Sequence, residues 1–458
     1  MKGRAAPVAG EDSAPKLFSS PWLARRLRSA IGSLGGTQLC VAFSGGADST
    51  ALLAATVALR VPHRCAVRAV HVNHHLQSGA LAWAREARAT ARRLGVVCKI
   101  VDAPVRVARG ASAEAAAREA RYAALHAALH EGEWLLLAHH QDDQAETLLL
   151  QLLRGAGIAG LAAMPVRSQR TLRPLLNVTR AQLAAFLQRR SLPWIDDPTN
   201  ADDRFDRNYL RLRVLPVLRL RWPSLAITIG RSAALAAEAQ QLLSAQADQQ
   251  LQNACDGAAL RVCALRCLDL AERRNLLRRW LELRGLPMPD QRRLQEIAGP
   301  MLRARFDAQP LVRWPGALLR RHGALLHANA ESAATLDSAA SVEPLNWNWR
   351  RESCLPLPGG ARLELRPDPH GKLLRAALPA RVTVRFRSDV AAPEQRAGGK
   401  RLKRLLQAQA RLPWRRGVVP LIYSGHRLLA VGDRWLGPVA RGVGAEPAFR
   451  LYWCAAPA

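Results

Sequence analysis

One loop has the composition of a site for an anionic ligand, and its sequence is Ser44-Gly45-Gly46-Ala47-Asp48-Ser49. It lies between the apolar runs 39–43 and 51–55, a pattern that predicts a strand, a tight turn and the start of a helix. Glycines let backbone N–H groups approach a ligand, and a helix N-terminus attracts phosphate. No Lys-Ser or Lys-Thr pair follows, so this is not the Walker loop of γ-phosphate transfer. The sequence therefore predicts a nucleotide site of another kind.

A second group of residues suited to chemistry is His-His-Gln-Asp-Asp-Gln-Ala-Glu-Thr at 139–147. Asp143 and Glu146 are three apart at a predicted helix start, so both carboxylates project from one side of its first turn. Carboxylates there can hold Mg²⁺ or bind an ammonium group, and a solvated role at the helix N-terminus is the alternative. His139 and His140 are equally consistent with a structural role, and a four-ligand zinc site is not expected without nearby cysteines.

The elements between residues 35 and 153 predict how these groups are positioned. The predicted strands cover 39–43, 65–72, 96–101 and 134–138. Their alternation with helical segments predicts an α/β fold with a doubly wound parallel sheet. Ligands of such sheets bind beyond the carboxyl ends of the strands. The loop at 44–49, the histidines at 71–75 and the run 139–147 all follow strand ends, so we expect them to face one crevice.

The chain of 458 residues exceeds one compact core, and its pattern changes near Pro216 to helices rich in Ala, Leu, Gln and Arg. The predicted divisions are a flexible tail at 1–20, a nucleotide-binding catalytic domain at 21–217, a mainly helical domain at 218–330, a linker region at 331–378 and a small α+β C-terminal domain at 379–458. The two later domains carry clusters of arginine and lysine, which suit the phosphates of an RNA.

The net charge is +31, from 67 Lys and Arg residues against 36 Asp and Glu residues. A field of this strength attracts polyanions and favours nucleic acid as the partner. No apolar run of 18 residues is present, so no membrane partner is expected. The eight cysteines form no CxxC pair, and together with the lack of an apolar leader this predicts a cytoplasmic location.

Taken together, the motifs resemble the tRNA(Ile)-lysidine synthase family of the PP-loop ATP pyrophosphatase superfamily. The motifs that carry the resemblance are the Ser-Gly-Gly-x-Asp-Ser loop, His71-Val72-Asn73-His74-His75, the run 114–122, the run 139–147, Arg154-Gly-x-Gly-x-x-Gly-Leu161, Arg207-Asn208, and the C-terminal runs 402–406 and 413–416. Gln77 stands where the family commonly has arginine, and residues 388–396 depart from the family in glycines and acids.

The resemblance implies a reaction in two steps that uses ATP and Mg²⁺. The C2 oxygen of the wobble cytidine in a CAU-anticodon isoleucine tRNA is first adenylylated, and the ε-amine of L-lysine then displaces AMP. The product, lysidine, pairs with A instead of G, so decoding changes from AUG to AUA. The implied partners are this tRNA and L-lysine, and the oligomeric state is left open.

The resemblance also implies roles for particular residues. The expected ATP-binding residues are Ser44, Gly45, Gly46, Ala47, Asp48 and Ser49. The expected catalytic residues are Asp48, Asp143, Glu146, Arg118, Arg154 and Arg207, the arginines stabilising charge at the reacting centre. Asp143 and Glu146 are assigned to the ammonium of lysine or alternatively to Mg²⁺, and Asp48 and Asp142 are candidate Mg²⁺ ligands. The expected tRNA contacts are Lys400, Arg401, Lys403, Arg404, Arg415 and Arg416.

Two rival functions compete with this one. A tRNA cytidine thiolase of the same superfamily would need paired cysteines for persulfide or iron–sulfur chemistry, and only Cys40, Cys65 and Cys98 occur in the first 250 residues. A non-catalytic basic RNA-binding protein would tolerate a decayed loop. The intact loop beside the intact acids of the run 139–147 argues against decay.

Overall fold

The computed structural model describes residues 17–73, 79–104, 113–195, 202–331, 343–368, 370, 373–374, 379–386, 419–437 and 448–454. Several sequence predictions lie outside these residues: His74 and His75, the departures at Gln77 and 388–396, the flexible tail up to residue 16, and the expected tRNA contacts Lys400, Arg401, Lys403, Arg404, Arg415 and Arg416. The chain forms two compact units, Met1–Leu243 and Ser244–Ala458.

The first unit begins as strands alternating with helices. Its helices are α1 Ser20–Ile31, α2 Ala47–Val57, α3 Arg60–His63, α4 Ala80–Arg93, α5 Ala113–Ala127, α6 Gln141–Leu153, α7 Ile158–Leu161, α8 Arg180–Gln188, α9 Asp206–Tyr209, a π-helix at Leu210–Val214, and α10 Leu215–Arg221. Its strands are β1 Gln38–Ala42, β2 Ala66–Asn73, β3 Cys98–Asp102, β4 Trp134–Leu136, β5 Arg167–Ser168 and β6 Thr171–Leu172.

These strands form one sheet in the order β3-β2-β1-β4-β6-β5. All neighbouring pairs are parallel except β5 with β6. Successive residues of β1 enter different cores, because side chains alternate across a sheet. Leu39 and Val41 belong to a core with α1, α2 and α8, whereas Cys40 belongs to a core with α5. The predicted doubly wound parallel sheet is confirmed, with both faces covered.

The helix α11, Leu225–Ala254, contains the boundary between the two units. The helices that follow it are α12 Val262–Arg266, α13 Leu270–Leu283, α14 Gln291–Glu296, a π-helix at Ile297–Met301 and a 3₁₀-helix at Pro358–Gly360. The helical character predicted after residue 218 is present, and Asp269 and Asp290 cap α13 and α14 by accepting first-turn N–H bonds.

The described residues of the second unit also form three antiparallel sheets. Their strands are β7 Cys255–Asp256, β8 Ala259–Arg261, β9 Leu311–Trp314, β10 Ala317–His322, β11 Leu325–Ala330, β12 Leu345–Trp347, β13 Cys354–Pro356, β14 Arg362–Pro367, β15 Leu373–Leu374, β16 Val382–Arg385, β17 Leu421–Ser424, β18 Arg427–Val431, β19 Trp435–Leu436 and β20 Ala448–Cys454. The sheet orders are β7-β8-β11-β10-β9, β12-β16-β17-β18-β19 and β13-β14-β20-β15. Strands β12 to β15 therefore lie in the range that sequence assigned to a linker.

Strands β12, β13 and β15 have only two or three residues each, so they carry little periodicity of their own, whereas Arg362 to Arg366 of β14 do alternate between polar and apolar residues, a strand signal that the linker prediction did not use. They are stabilised instead by pairing with distant strands. Leu363 of β14 lies opposite Trp453 of β20, and Trp347 of β12 lies opposite Val382 of β16. Among the helices of the described residues, none is long and apolar enough to cross a membrane.

Candidate active site

The glycine-rich loop joins β1 to α2 at the carboxyl edge of the parallel sheet. Gly45 has φ +89°, a conformation that L-residues other than glycine rarely adopt, and a Cβ there would lie 2.6 Å from Cδ1 of Ile195. The N–H of Ile195 donates to the carbonyl of Gly45 at 2.9 Å. The loop is therefore held between the start of α2 and the segment that contains Ile195, a contact that sequence did not predict.

Replacing Gly45 with alanine is expected to lower the free energy of unfolding by about 1–2 kcal/mol, the cost of left-handed backbone for an L-residue. The clash with Ile195 adds little, because the end of that side chain can rotate away. Gly46 is the matched control, because its φ is −70° and a Cβ there would lie 3.5 Å from Ser44 Oγ, an ordinary contact. Its alanine variant should unfold like wild type. Urea unfolding measures both, and equal losses would contradict the assignment of strain to Gly45.

Hydroxyl groups brace the loop from inside. Ser49 Oγ donates to the carbonyl of Gly46 at 3.0 Å and lies 3.0 Å from Ser44 Oγ, and Thr50 Oγ1 donates to the same carbonyl at 2.9 Å. Gly46 is the N-cap of α2 and has no side chain with which to cap the first-turn N–H groups. These donors and the positive end of the helix dipole make the loop suited to phosphate.

Asp48 connects the loop to the second predicted cluster. Its side chain is 32% exposed, and its Oδ2 lies 3.4 Å from Nε2 of the buried His140. Its other oxygen, Oδ1, is buried and has no hydrogen-bond partner among the described residues. A buried carboxylate oxygen is costly to leave unpaired, so this atom is suited to a cation or a donor supplied by a ligand.

The adjacent histidines 139 and 140 have opposite electrostatic surroundings. Burial and the neighbouring arginines together lower the pKa of His139 to about 3, although Asp143 raises it, so His139 is neutral. Burial also lowers the pKa of His140, but Asp143, Asp48 and Asp142 outweigh it and hold that pKa above its usual value. Three carboxylates from two elements, α2 and α6, therefore stabilise the imidazolium form of His140.

Asp143 and Glu146 lie together on the first turns of α6, as predicted, and two arginines bind them. Arg207 Nε donates to Glu146 Oε2 at 2.7 Å, and Arg211 Nε donates to Glu146 Oε1 at 2.7 Å. Asp143 Oδ1 accepts from Arg207 Nη2 at 3.1 Å and from Arg211 Nη2 at 3.3 Å. Its Oδ2 accepts from the backbone N–H of His140 at 2.9 Å. The acids and arginines form one cluster, with Glu146 0% exposed.

The charges of this cluster hold one another in their ionised forms. Burial raises the pKa of Asp143, but His140, Arg207 and His139 lower it by more, so the pKa lies well below its usual value. Burial lowers the pKa of Arg207 and of Arg211, and Asp143 and Glu146 raise both. Asp143 is a carboxylate and both arginines are guanidinium ions.

The remaining predicted residues, Asp142, Arg118 and Arg154, have different observed partners. Asp142 pairs with Arg219, and its Oδ2 lies 3.9 Å from Nδ1 of His140. Arg118 is partly buried, stacks 5.5 Å from the ring centroid of Tyr122 and acts electrostatically on His139. Arg154 is 63% exposed and reaches Asp206 Oδ2 at 3.4 Å, so its observed partner is a surface carboxylate.

Arg211 and Arg219 are the site residues that sequence did not assign to the acids of the run 139–147. Arg211 follows Arg207 by four residues, a spacing that places two side chains on one helical face. The spacing from Arg207 is therefore the sequence signal that identifies Arg211. Arg219 gave no comparable signal, since its partner Asp142 is 77 residues away in sequence.

The described residues contain no group of three or more His, Cys, Asp or Glu residues arranged to hold a metal ion by themselves. Mg²⁺ commonly needs only one or two carboxylates beside the phosphates of a nucleotide. Asp48 fits that requirement, because its Oδ1 has no hydrogen-bond partner among the described residues. Asp142 and Asp143 fit less well, because Oδ1 of Asp142 pairs with Arg219 and both oxygens of Asp143 already accept hydrogen bonds, from Arg207 and from the backbone N–H of His140.

Three family models match the chain in order. A PP-loop domain matches residues 20–218, a TilS substrate binding domain matches 260–327, and a TilS substrate C-terminal domain matches 382–453. The first covers the parallel sheet and the cluster of acids and arginines. The other two lie in the second compact unit.

Proteins named tRNA(Ile)-lysidine synthase are similar over most of the chain. The one from Coxiella burnetii (strain RSA 493 / Nine Mile phase I) is 39% identical, covering 86% of this chain and 88% of that protein. The one from Alkalilimnicola ehrlichii (strain ATCC BAA-1101 / DSM 17681 / MLHE-1) is 38% identical, covering 96% and 98%. The one from Methylococcus capsulatus (strain ATCC 33009 / NCIMB 11132 / Bath) is 40% identical, covering 91% and 96%.

Proposed function

This chain belongs to the tRNA(Ile)-lysidine synthase family, and we propose that it ligates lysine to C2 of the wobble cytidine of the CAU-anticodon tRNA(Ile). ATP activates the C2 oxygen by forming an adenylylated tRNA and releasing diphosphate. The amine of lysine then displaces AMP, and the resulting lysidine changes decoding from AUG to AUA. A pyrimidine C2 oxygen is a poor leaving group until it is esterified to AMP, which is why two steps are needed.

The observation that carries this proposal is the contact between the phosphate loop and the acid cluster. Asp48 of the loop lies 3.4 Å from His140, which is also 3.6 Å from Asp143. A nucleotide on the loop would therefore place its phosphates beside a group of fixed charges. Charges positioned before the reaction stabilise the transition state without having to reorganise during it.

The loop residues are proposed to bind ATP, as their motif implies. Ser44, Gly45, Gly46, Ala47 and Ser49 present backbone N–H and hydroxyl groups at the start of α2. Asp48 is proposed to hold Mg²⁺ through Oδ1, and Asp142 remains a second candidate. When bound there, Mg²⁺ would neutralise phosphate charge and orient the α-phosphate.

Arginines are proposed to stabilise the charge that develops at the reacting centre. This role is best supported for Arg207, because Glu146 and Asp143 hold its guanidinium in the acid cluster. Arg118 is proposed to act on the same centre through its proximity to His139. For Arg154 to take this role, it must leave Asp206 when substrate binds. The exposed contact between the two residues is weak, so little energy opposes that movement.

Lysine is proposed to bind through an ammonium group at Asp143 and Glu146. Each of the two carboxylates already binds the same two guanidinium ions, which supports an affinity for cations at this position. The tRNA is proposed to contact the C-terminal domain at Lys400, Arg401, Lys403, Arg404, Arg415 and Arg416, supported by the +31 net charge. A cytoplasmic location remains a prediction.

Purified protein mixed with ATP, Mg²⁺, radiolabelled lysine and candidate tRNAs is expected to label only the CAU-anticodon tRNA(Ile), with one AMP and one diphosphate released per lysine. The methionine tRNA, which has the same anticodon, is the control for specificity. Sulfur incorporation into the tRNA without lysine would support the thiolase instead. Binding of tRNA with no ATP turnover would support the non-catalytic alternative.

A further inference from the structure

The two carboxylates proposed to bind lysine are already occupied by protein groups. Glu146 Oε1 accepts from Arg211 at 2.7 Å, and Glu146 Oε2 accepts from Arg207 at 2.7 Å and from Arg211 Nη2 at 3.0 Å. Asp143 Oδ1 accepts from both arginines, and Asp143 Oδ2 accepts from the backbone of His140. Glu146 has no exposed surface, so an ammonium group can reach it only if one guanidinium leaves.

The charge balance allows one guanidinium to be exchanged for one ammonium. Two carboxylates and two guanidinium ions sum to zero, and two carboxylates with one guanidinium and one ammonium also sum to zero. A buried carboxylate left without a cation is strongly destabilising. Lysine is therefore the right kind of group to replace an arginine here without leaving an uncompensated charge.

Arg211 is the one that is easier to displace. Its side chain is 26% exposed, against 16% for Arg207. Each arginine donates three hydrogen bonds in the cluster, but all three from Arg211 go to the two carboxylates, whereas one from Arg207, at 3.4 Å, goes to the backbone carbonyl of Asp143. Arg207 also lies in the α-helical turn α9, whereas Arg211 lies in the π-helix that follows.

The π-helix gives Arg211 a route out of the cluster. A π-turn contains one residue more than an α-turn and is rare, and such turns often occur at functional sites. If Leu210–Val214 rewinds as an α-helix, its side chains rotate about the helix axis relative to α9. That rotation would withdraw Arg211 from Glu146 while Arg207 stays in contact.

We propose that Arg211 is a displaceable guanidinium that fills the ammonium site of lysine and restricts which amines enter it. The inference rests on the proposed function, because it takes Asp143 and Glu146 to be the lysine site. Arg211 is then a specificity residue. An amine that cannot replace its contacts to both carboxylates does not open the site.

Arg211→Gln tests this role, because glutamine keeps a polar side chain but removes the competing charge. A ligand binds with an apparent Kd equal to its intrinsic Kd divided by the fraction of protein whose site is open. If Arg211 leaves the acids in about one molecule in ten, its removal lowers the KM for lysine about tenfold. n-Butylamine, which carries the same ammonium group, should compete with lysine in both proteins, with an inhibition constant about tenfold lower in the variant than in wild type.

Arg213→Gln is the matched control. Arg213 lies in the same π-helix and is exposed, and it pairs with Asp203 at 2.9 Å, outside the cluster. Its glutamine variant should have the wild-type KM for lysine and the wild-type inhibition constant for n-butylamine. If the KM changed only because substitution destabilised the π-helix, both variants would show the change. If Arg211 occupies the lysine site, only Arg211→Gln shows it.

A KM for lysine that stays the same or rises in Arg211→Gln would overturn the inference. Loss of adenylylation would also overturn it, since Arg211 would then be a required contact for substrate.

If Arg211→Gln does not fold, Arg211→Lys is the second test. Lysine keeps the positive charge but lacks the planar guanidinium that binds two carboxylates at once. Its KM for lysine should fall by less than tenfold, and a rise would overturn the inference. Wild-type protein that forms no lysidine would instead contradict the proposed function, so the two failures are distinguishable.

Discussion

Asp48→Ala is expected to reduce tRNA adenylylation by about three orders of magnitude, the loss that follows removal of one pre-organised electrostatic contact at a reacting phosphate. Asp48 supplies the buried Oδ1 and the contact to His140, so the variant loses both the proposed Mg²⁺ ligand and a partner of the imidazolium. Affinity for tRNA should be nearly unchanged. Release of diphosphate measures the first effect and fluorescence anisotropy with labelled tRNA measures the second.

Asp48→Asn separates charge from shape. Asparagine has almost the same volume and retains Oδ1, but it is neutral and is a poor ligand for Mg²⁺ beside phosphates. If Asp48 acts by holding a cation, the asparagine variant should be as inactive as the alanine variant. Substantial activity in Asp48→Asn, or in Asp48→Ala, would show that Asp48 does not have the assigned role.

The parallel sheet was predictable because its sequence signals are local and agree with one another. Apolar runs at regular spacing indicate buried strands, and the loop at 44–49 and the run 139–147 both follow such runs. The rule that ligands bind beyond the carboxyl ends of strands then placed both in one crevice. The 3.4 Å contact between Asp48 and His140 is the structural counterpart of that prediction.

The partners of the acids were not predictable in the same way. Asp143 and Glu146 were expected to face a ligand, and the structure pairs them with Arg207 and Arg211, which are distant in sequence. Spacing within a helix shows which side chains share a face but not which distant segment covers that face. The opposite pKa shifts of His139 and His140 have the same origin, since both residues follow one strand and are buried, and they differ in which charges surround each ring.

The acid and arginine cluster also contributes to folding, and Glu146→Gln is expected to lower the free energy of unfolding by about 3–5 kcal/mol, as removal of one partner from a buried ion pair does. Glutamine has the size of glutamate but turns an N–H₂ group toward two guanidinium donors. Arg207 and Arg211 would then be buried close together with one anion fewer. Urea unfolding followed by tryptophan fluorescence measures the loss, and lysine transfer should be lost with it.

Asp203→Asn is the control for an ordinary ion pair in the same part of the chain. Asp203 binds Arg213 at the surface at 2.9 Å, and such pairs contribute at most about 1 kcal/mol.

Combining Glu146→Gln with Arg211→Gln removes one charge of each sign, so the double variant should be more stable than Glu146→Gln alone. A double-mutant cycle measures this coupling. A loss no greater than that of Asp203→Asn, or additive effects of Glu146→Gln and Arg211→Gln, would mean that the two residues do not depend on each other for charge. In that case the exchange of Arg211 for lysine would have no electrostatic basis, because the balance it preserves would contribute nothing to the protein.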